Sequence, residues 1–345
     1  MSNTFFSIGL GVGTQNAKGE WLEVFYAKPV LNPEPSLVTA LKNTLEISAG
    51  NQAVPLDKGQ LGTLESALQN AGDTEQAAIV NSFKNSSQPL VVTVLETDAE
   101  PASVPEAYLK LQLISHRLVK PHGLNLSGIF ANLPNVAWTN KGAIDLEELP
   151  QAQLQARLTG EVLEVSCVDK FPKMTNYVVP EGVRIAHTAR VRLGAYVGEG
   201  TTIMHEGFIN FNAGTEGPGM IEGRVSAGVM IGAGSDLGGS SSTMGTLSGG
   251  GNIIISVGKE CLLGANAGIG IPLGDRCTVE AGLYITSGTK VIMLDDQGNQ
   301  VDSLKARELA GKSDLLFRRN SVTGAVECKT NKSAIELNEE LHAHN

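Results

Sequence analysis

The chain has 345 residues, with 26 Lys and Arg against 36 Asp and Glu, for a net charge of −10. That balance excludes nucleic acid as a partner, because phosphate binding demands a basic face, and no Lys/Arg cluster supplies one. The 41% hydrophobic content provides cores for two or three domains; no apolar run of about eighteen residues reaches across a membrane, and the first residues lack a positive n-region with an apolar stretch behind it, so a cytoplasmic protein without a membrane partner is expected.

Residues 1–165 predict an α/β domain. Residues 5–12 and 21–27 read as strands around an Asn16-Ala17-Lys18-Gly19 turn, and 89–96 is an apolar, β-branched third strand. Helical spacing fills the gaps: Ser36 caps Leu37, Leu41 and Leu45, then come Leu61, Leu64 and Leu68, then Ile79 and Phe83. A longer helix over 105–120, ended by Pro121, carries Leu109, Leu113 and Leu118 on one face. Gly9, Gly11 and Gly13 lie two apart, without the G-x-G-x-x-G spacing and following helix of a dinucleotide site, so no nucleotide redox cofactor is expected.

From 166 to 290 the pattern changes to a period of six. Ile185, Val191, Val197, Ile203, Ile209, Val225, Ile231, Val257, Leu263, Leu273, Val279 and Ile285 each open a hexapeptide. The fifth position is small in Ala189, Ala195, Thr201, Gly207, Ala213, Ser235, Cys261, Ala267, Cys277 and Thr289, and only Val229 and Leu283 depart from this. An aliphatic residue every six positions stays neither on one face of an α-helix nor on one face of a single alternating strand. It fits a triangular prism in which each hexad is one side, the aliphatic residue points inward and the small residue sits at the corner. These features predict a left-handed parallel β-helix, a hexapeptide-repeat rod that buries its core only by stacking coil on coil. Residues 182–288 hold 25 of the 40 glycines, in register with Val, Ile and Leu, which separates the segment from low-complexity disorder.

Two loops, 215–223 and 238–252, are expected to interrupt the hexads and to carry backbone N–H groups suited to an oxyanion, carboxylate or phosphate. Residues 291–345 read as a short C-terminal β cap of hairpins, turning at 295–299 and at Thr323-Gly324, followed by a polar tail. The four cysteines, Cys167, Cys261, Cys277 and Cys328, lack CxxC spacing and read as reduced packing residues.

His205 and Glu206 are the ionisable residues that break the hexads most visibly. A carboxylate in a crevice there would have its pKa raised by desolvation and serve as a general base; a solvated corner is the competing account. His187 and His205, eighteen residues apart, should stack on adjacent coils, but two imidazoles are too few for a metal site.

Several strings together closely resemble one family: Asp169-Lys170-Phe171-Pro172, residues 177–185, residues 204–214 with Met204-His205-Glu206-Gly207, residues 245–251, Leu263-Gly264-Ala265-Asn266 and Lys305-Ala306-Arg307-Glu308-Leu309. The family is the tetrahydrodipicolinate N-succinyltransferases, in the longer form of actinobacteria and pseudomonads. The resemblance implies a homotrimer with active sites between subunits. It implies transfer of a succinyl group from succinyl-CoA to the amine of ring-opened tetrahydrodipicolinate, in the succinylase branch of diaminopimelate and lysine synthesis. It also implies that Glu206 is catalytic, that Gly223 and Ser226 line the substrate pocket, and that Gly249, Gly264, Ala265 and Lys305 border the CoA channel. Members of the family carry Mg2+ on the trimer axis in a structural role; Asp169, Glu181 and Glu199 are candidate ligands without an assignment among them. Arg224 is added because a dianionic substrate suits a guanidinium fork, with a structural ion pair as its alternative.

Two other readings remain. Another hexapeptide acyl-CoA transferase, acting on a hydroxyl or amine of a different metabolite, would usually carry a histidine base. A rod of the γ-carbonic-anhydrase kind needs three converging histidines, and residues 182–290 contain only His187 and His205.

Overall fold

The computed structural model describes residues 4–47, 49–245 and 253–330. The chain divides into two compact units: one built from Met1–Leu118 and Gly123–Pro172, the other from Val119–His122 and Lys173–Asn345. The polar tail expected beyond 330 and Gly249 lie outside the described residues.

In the first unit β1 (Ser7–Gln15), β2 (Trp21–Tyr26), β3 (Val30–Leu31), β4 (Gln52–Pro55) and β5 (Leu90–Leu95) form an antiparallel sheet, ordered β2-β1-β5-β4 with β3 also on β1. Ile8, Leu10, Val92 and Val94 pack on one side against α1 (Pro35–Leu45), α2 (Leu61–Asn70) and α3 (Thr74–Phe83). The other side is covered by α4 (Val104–Ser115), which Ser103 caps by accepting from Glu106 N. Gly9 and Gly11 face this side, and a Cβ on either would lie 2.5–2.7 Å from side-chain atoms of Tyr26 or Val24. The missing side chains make room for the Tyr26 ring, whose hydroxyl bonds Thr93 Oγ1 at 2.7 Å and donates to Pro105 O at 2.9 Å. Those glycines are therefore packing devices.

The fourth helix stops at Ser115, short of the expected Lys120. Arg117 adopts φ 61° and Leu118 N returns to Leu113 O, a left-handed stop that needs no glycine. Leu118 is accordingly 43% exposed instead of buried on the helix face. Residues 119–122 then join the second unit: Lys120 pairs with Glu216, His122 N donates to Asn212 Oδ1, and His122 Nε2 donates to Gly228 O. The first unit ends in a small antiparallel sheet of β6 (Val136–Thr139), β7 (Gly142–Asp145) and β8 (Val165–Asp169), with β6 central. Pairing of β8 with β6 carries the boundary to Pro172 rather than 165.

The second unit is the prism. Along its first face Ile185, Ile203, Ile221, Leu237, Leu263, Val279 and Phe317 stack in parallel register. Val191, Ile209, Val225, Thr243, Ile269 and Ile285 follow the second face, and Val197, Thr215, Ile231 and Val257 the third. Most of these side chains are buried to within 3%, and each fully buried Ile, Val, Leu or Phe contributes about 1.5–3 kcal/mol by leaving water. Cys261 and Cys277 occupy buried corners, Cys328 is buried in the cap and Cys167 is exposed, all as free thiols. Burial pushes the Cys328 thiol up to about 12.

Both expected loops need correction. Thr215 and Ile221 lie in the stacks, so 215–223 is no insertion. Gly238 to Thr243 are also in register, with Thr243 opposite Ile269, so they are no insertion either, and 246–252 lie outside the described residues. At the far end, strands Lys290–Leu294, Gln300–Lys305, Leu315–Arg319 and Val326–Thr330 extend the first face. Phe317, Leu309, Ala306 and Cys328 close the core there.

Replacing Ile221 by Ala removes a fully buried side chain from mid-stack. Urea unfolding followed by circular dichroism should show a loss of about 2–5 kcal/mol. Gly9→Ala, by overpacking against Tyr26, should cost about 1–3 kcal/mol in the same measurement.

Candidate active site

One edge of the prism, between the first and second faces, collects most of the predicted site residues. In the other coils five residues join the stacked pair across this edge, as from Ile203 to Ile209 or from Leu263 to Ile269. In the third coil only Glu222, Gly223 and Arg224 separate Ile221 from Val225. The shorter turn sets the edge back between the Glu206 corner and that of Gly239 and Ser240. Glycine is required on this step: a Cβ on Gly223 would fall 2.1 Å from Ser241 Oγ, and one on Gly207 2.2 Å from Ile221 O.

Glu206 stands at the rim of the step. Its Oε1 lies 2.9 Å from His205 Nδ1 and its Oε2 3.1 Å from Arg190 Nη2. His187 and His205 stack as the eighteen-residue spacing predicts, with ring centroids 5.1 Å apart at 82°. The expected desolvated carboxylate is not what one chain presents. The Glu206 side chain is 61% exposed, and the His205 hydrogen bond, then the Arg190 charge, hold its carboxyl below the ordinary value. The cause is its place at a convex corner, which water reaches unless another surface covers it.

Arg224 is exposed beside the step, with its backbone N donating to Ser241 O at 2.8 Å and its strand in register with Phe208 and Ser242. Ser226, just past the second face, donates through Oγ to Thr243 O at 2.6 Å. Gly264 and Ala265 continue the first edge in the fifth coil, about 14 Å along the rod from Glu206 at about 4.8 Å per coil. Lys305 ends the Gln300–Lys305 strand, opposite Lys290, and its N receives Glu308 Oε1 as acceptor at 3.0 Å. Glu206, Gly223 and Arg224 therefore lie on adjacent coils, while Gly264 and Ala265 lie further along the same edge and Lys305 on a terminal strand.

Sequence reasoning missed the basic residues around Glu206. Arg184 reaches Met204 Sδ at 3.5 Å, and Arg192 donates to Asn210 Oδ1 at 3.1 Å and lies 6.0 Å from the Phe208 ring. Of the arginines on these coils, Arg190 is the one whose charge acts on Glu206. The available signal was the position of Arg190, immediately before an inward Val191 and thus beside the next coil's corner. Among the described residues, no group of three or more His, Cys, Asp or Glu side chains is placed to hold a metal ion. Asp169 belongs to the first unit, and Glu181 and Glu199 to the second.

The surrounding chain matches known proteins along its length. Residues 62–131 match the N-terminal part and residues 133–173 the middle part of tetrahydrodipicolinate N-succinyltransferase, and residues 254–287 match the hexapeptide repeat of succinyl-transferase. The 2,3,4,5-tetrahydropyridine-2,6-dicarboxylate N-succinyltransferase of Pseudomonas putida is 69% identical over 345 residues, covering 100% of both chains. That of Vibrio cholerae is 60% identical over 341 residues, covering 99% of each. A crystal structure from Campylobacter jejuni, described as a 2,3,4,5-tetrahydropyridine-2-carboxylate N-succinyltransferase, superposes with a TM-score of 0.87 at 33% identity, over 96% of this chain and 93% of that one. The repeat match and this likeness give the rod its hand, a left-handed parallel β-helix. The chain belongs to the tetrahydrodipicolinate N-succinyltransferase family.

Proposed function

We infer that this protein is a CoA-dependent acyltransferase that moves the succinyl group of succinyl-CoA onto the amine of ring-opened tetrahydrodipicolinate. The products are N-succinyl-2-amino-6-oxopimelate and free CoA, in the succinylase branch of diaminopimelate and lysine synthesis. The observation that carries the reading is the 69% identity, over the whole of both chains, to a relative named for this reaction. The local surface is consistent with it, since a dicarboxylate acceptor needs cations around an ionised base.

In the proposed mechanism the amine nitrogen attacks the thioester carbonyl carbon, its proton passes to Glu206, and the C–S bond breaks to release the CoA sulfur. Glu206 acts as general base, a role that typically contributes 10²–10⁴-fold. An anhydride route would instead require its carboxylate oxygen to bond the thioester carbon. Arg224 holds one substrate carboxylate, Gly223 and Ser226 line the acceptor pocket, and Gly249, Gly264, Ala265 and Lys305 follow the CoA.

The working unit is proposed to be a homotrimer in the cytoplasm. A prism has a convex outside, so a cleft able to enclose CoA forms most readily between two rods, and a neighbouring rod would cover the exposed Glu206. Covering it would also desolvate the carboxylate and move its pKa back up. An Mg2+ on the trimer axis would draw its ligands from several chains, with Asp169, Glu181 and Glu199 as the candidates. No helix among the described residues is long and apolar enough to cross a membrane.

CoA thiol release from succinyl-CoA should depend on tetrahydrodipicolinate and fall at least about a hundredfold in Glu206→Gln, with both proteins confirmed as trimers by sedimentation. No acceptor-dependent release by the wild type would overturn the assignment. L-2-aminopimelate, the open-chain analogue, should replace the natural acceptor, and its failure in an otherwise working assay would count against amine attack. Dilution until the trimer dissociates should abolish turnover, whereas full activity in a monomer would remove the shared cleft.

A further inference from the structure

Arg190 has no part in the reaction as described so far, yet it makes the closest cationic contact to the proposed base. It occupies the last position of the hexad opened by Ile185, so its side chain leaves the prism beside the next coil's corner. There Nη2 donates to Glu206 Oε2 at 3.1 Å, and Nη1 reaches the Glu206 carbonyl oxygen at 3.5 Å. Oε1 is held from the other side by His205 Nδ1 at 2.9 Å. Since a carboxylate only accepts, His205 carries its proton on Nδ1 in this arrangement. His187, from the same coil as Arg190, stands edge-on to the His205 ring and fixes its plane.

Exposed ion pairs of this kind add little to stability, because water screens them and long side chains lose freedom. Here three residues, Arg190 and His187 from one coil and His205 from the next, order a single carboxylate at a position where 61% of its side chain is exposed. The arrangement orients Glu206 before any ligand arrives.

We propose that Arg190 is a positioning residue: its guanidinium, spanning the Glu206 carboxylate and main-chain carbonyl, fixes the carboxylate's rotamer, so that the acceptor amine meets an aimed base. This rests on reading Glu206 as the base. In the step itself the amine proton moves to a Glu206 oxygen as the C–N bond forms and the C–S electron pair leaves with CoA, and Arg190 keeps its own protons throughout. The ionisable groups acting on Glu206 are His205 beside it and Arg190 and His187 from the preceding coil, and all of them favour the ionised form. The geometry and the lowered carboxyl value thus point the same way.

The test uses the assembled enzyme with Arg190→Gln, Arg190→Lys, Glu206→Gln and the Arg190→Gln/Glu206→Gln pair, measuring kcat, both KM values and the pH profile of kcat/KM. Arg190→Gln should lower kcat roughly ten- to hundredfold, with KM for succinyl-CoA unchanged. Its acid limb should move to higher pH, because loss of the cation raises the carboxylate pKa and the base must be deprotonated to act. Arg190→Lys should restore the position of the acid limb but only part of kcat, having charge without the fork, and it serves as the informative variant if Arg190→Gln does not assemble. The double variant should be no slower than Glu206→Gln alone. Wild-type kcat and an unmoved acid limb in Arg190→Gln, beside an inactive Glu206→Gln, would overturn this proposal alone. Wild-type activity in Glu206→Gln would overturn the role of Glu206 and that of Arg190 together.

Discussion

The backbone ladder between coils is the interaction on which the rest of the second unit depends. Along the first edge Met204 N donates to Ile221 O, Glu222 N to Leu237 O, Gly238 N to Leu263 O and Gly264 N to Val279 O, at 2.7–2.9 Å. Each coil is a single turn of chain that cannot bury its own inward side chain, so the core exists only where the ladder stacks one coil on another. The same ladder makes residues eighteen apart into neighbours, which brings His187 onto His205. It also forces small residues at most corners, where the side chain would meet the next coil's backbone.

A rod built this way has a filled interior, so the residues proposed for the reaction lie on its outside. The third coil supplies the irregularity. By crossing from Ile221 to Val225 on three residues instead of five, it sets the edge back beside Glu206 without breaking either stack. The ladder tolerates the deletion because both flanking inward residues stay in register. The residues proposed for the acceptor cluster at this step, while those proposed for CoA extend up the same edge and onto the terminal strands. That separation suits a small dicarboxylate at one end and a long carrier lying along the rod.

The first unit follows a different logic. Its sheet is covered on both sides, so β5 is buried along its whole length, and the buried Gln112 and Lys110 side chains of α4 find partners inside the unit. Gln112 bonds Val24 O and Tyr26 N, and Lys110 bonds Asp98, Ala99 O and Asn125 O. Such buried polar groups would be costly without partners. They explain how α4 buries Lys110 and Gln112 along with its leucines.

Much of this was legible in the residues. The period of six, the inward Ile, Val and Leu positions and the small corners follow from local spacing. His187 over His205 follows from counting one coil, and the Met204-His205-Glu206-Gly207 string pointed to the family. What spacing could not show was decided by stacking. Residues 215–223 look like an insertion because Thr215 replaces an aliphatic residue and the next turn is short, yet Thr215 and Ile221 both lie in register. The end of α4 at Arg117 depends on a left-handed residue that is not glycine, which propensity does not foresee. Above all, the sequence by itself determined that a carboxylate stands at a corner, while its charge partners were set by the tertiary structure. Arg190 is sixteen residues from Glu206 along the chain, and only the closing of one coil onto the next puts its guanidinium on the carboxylate.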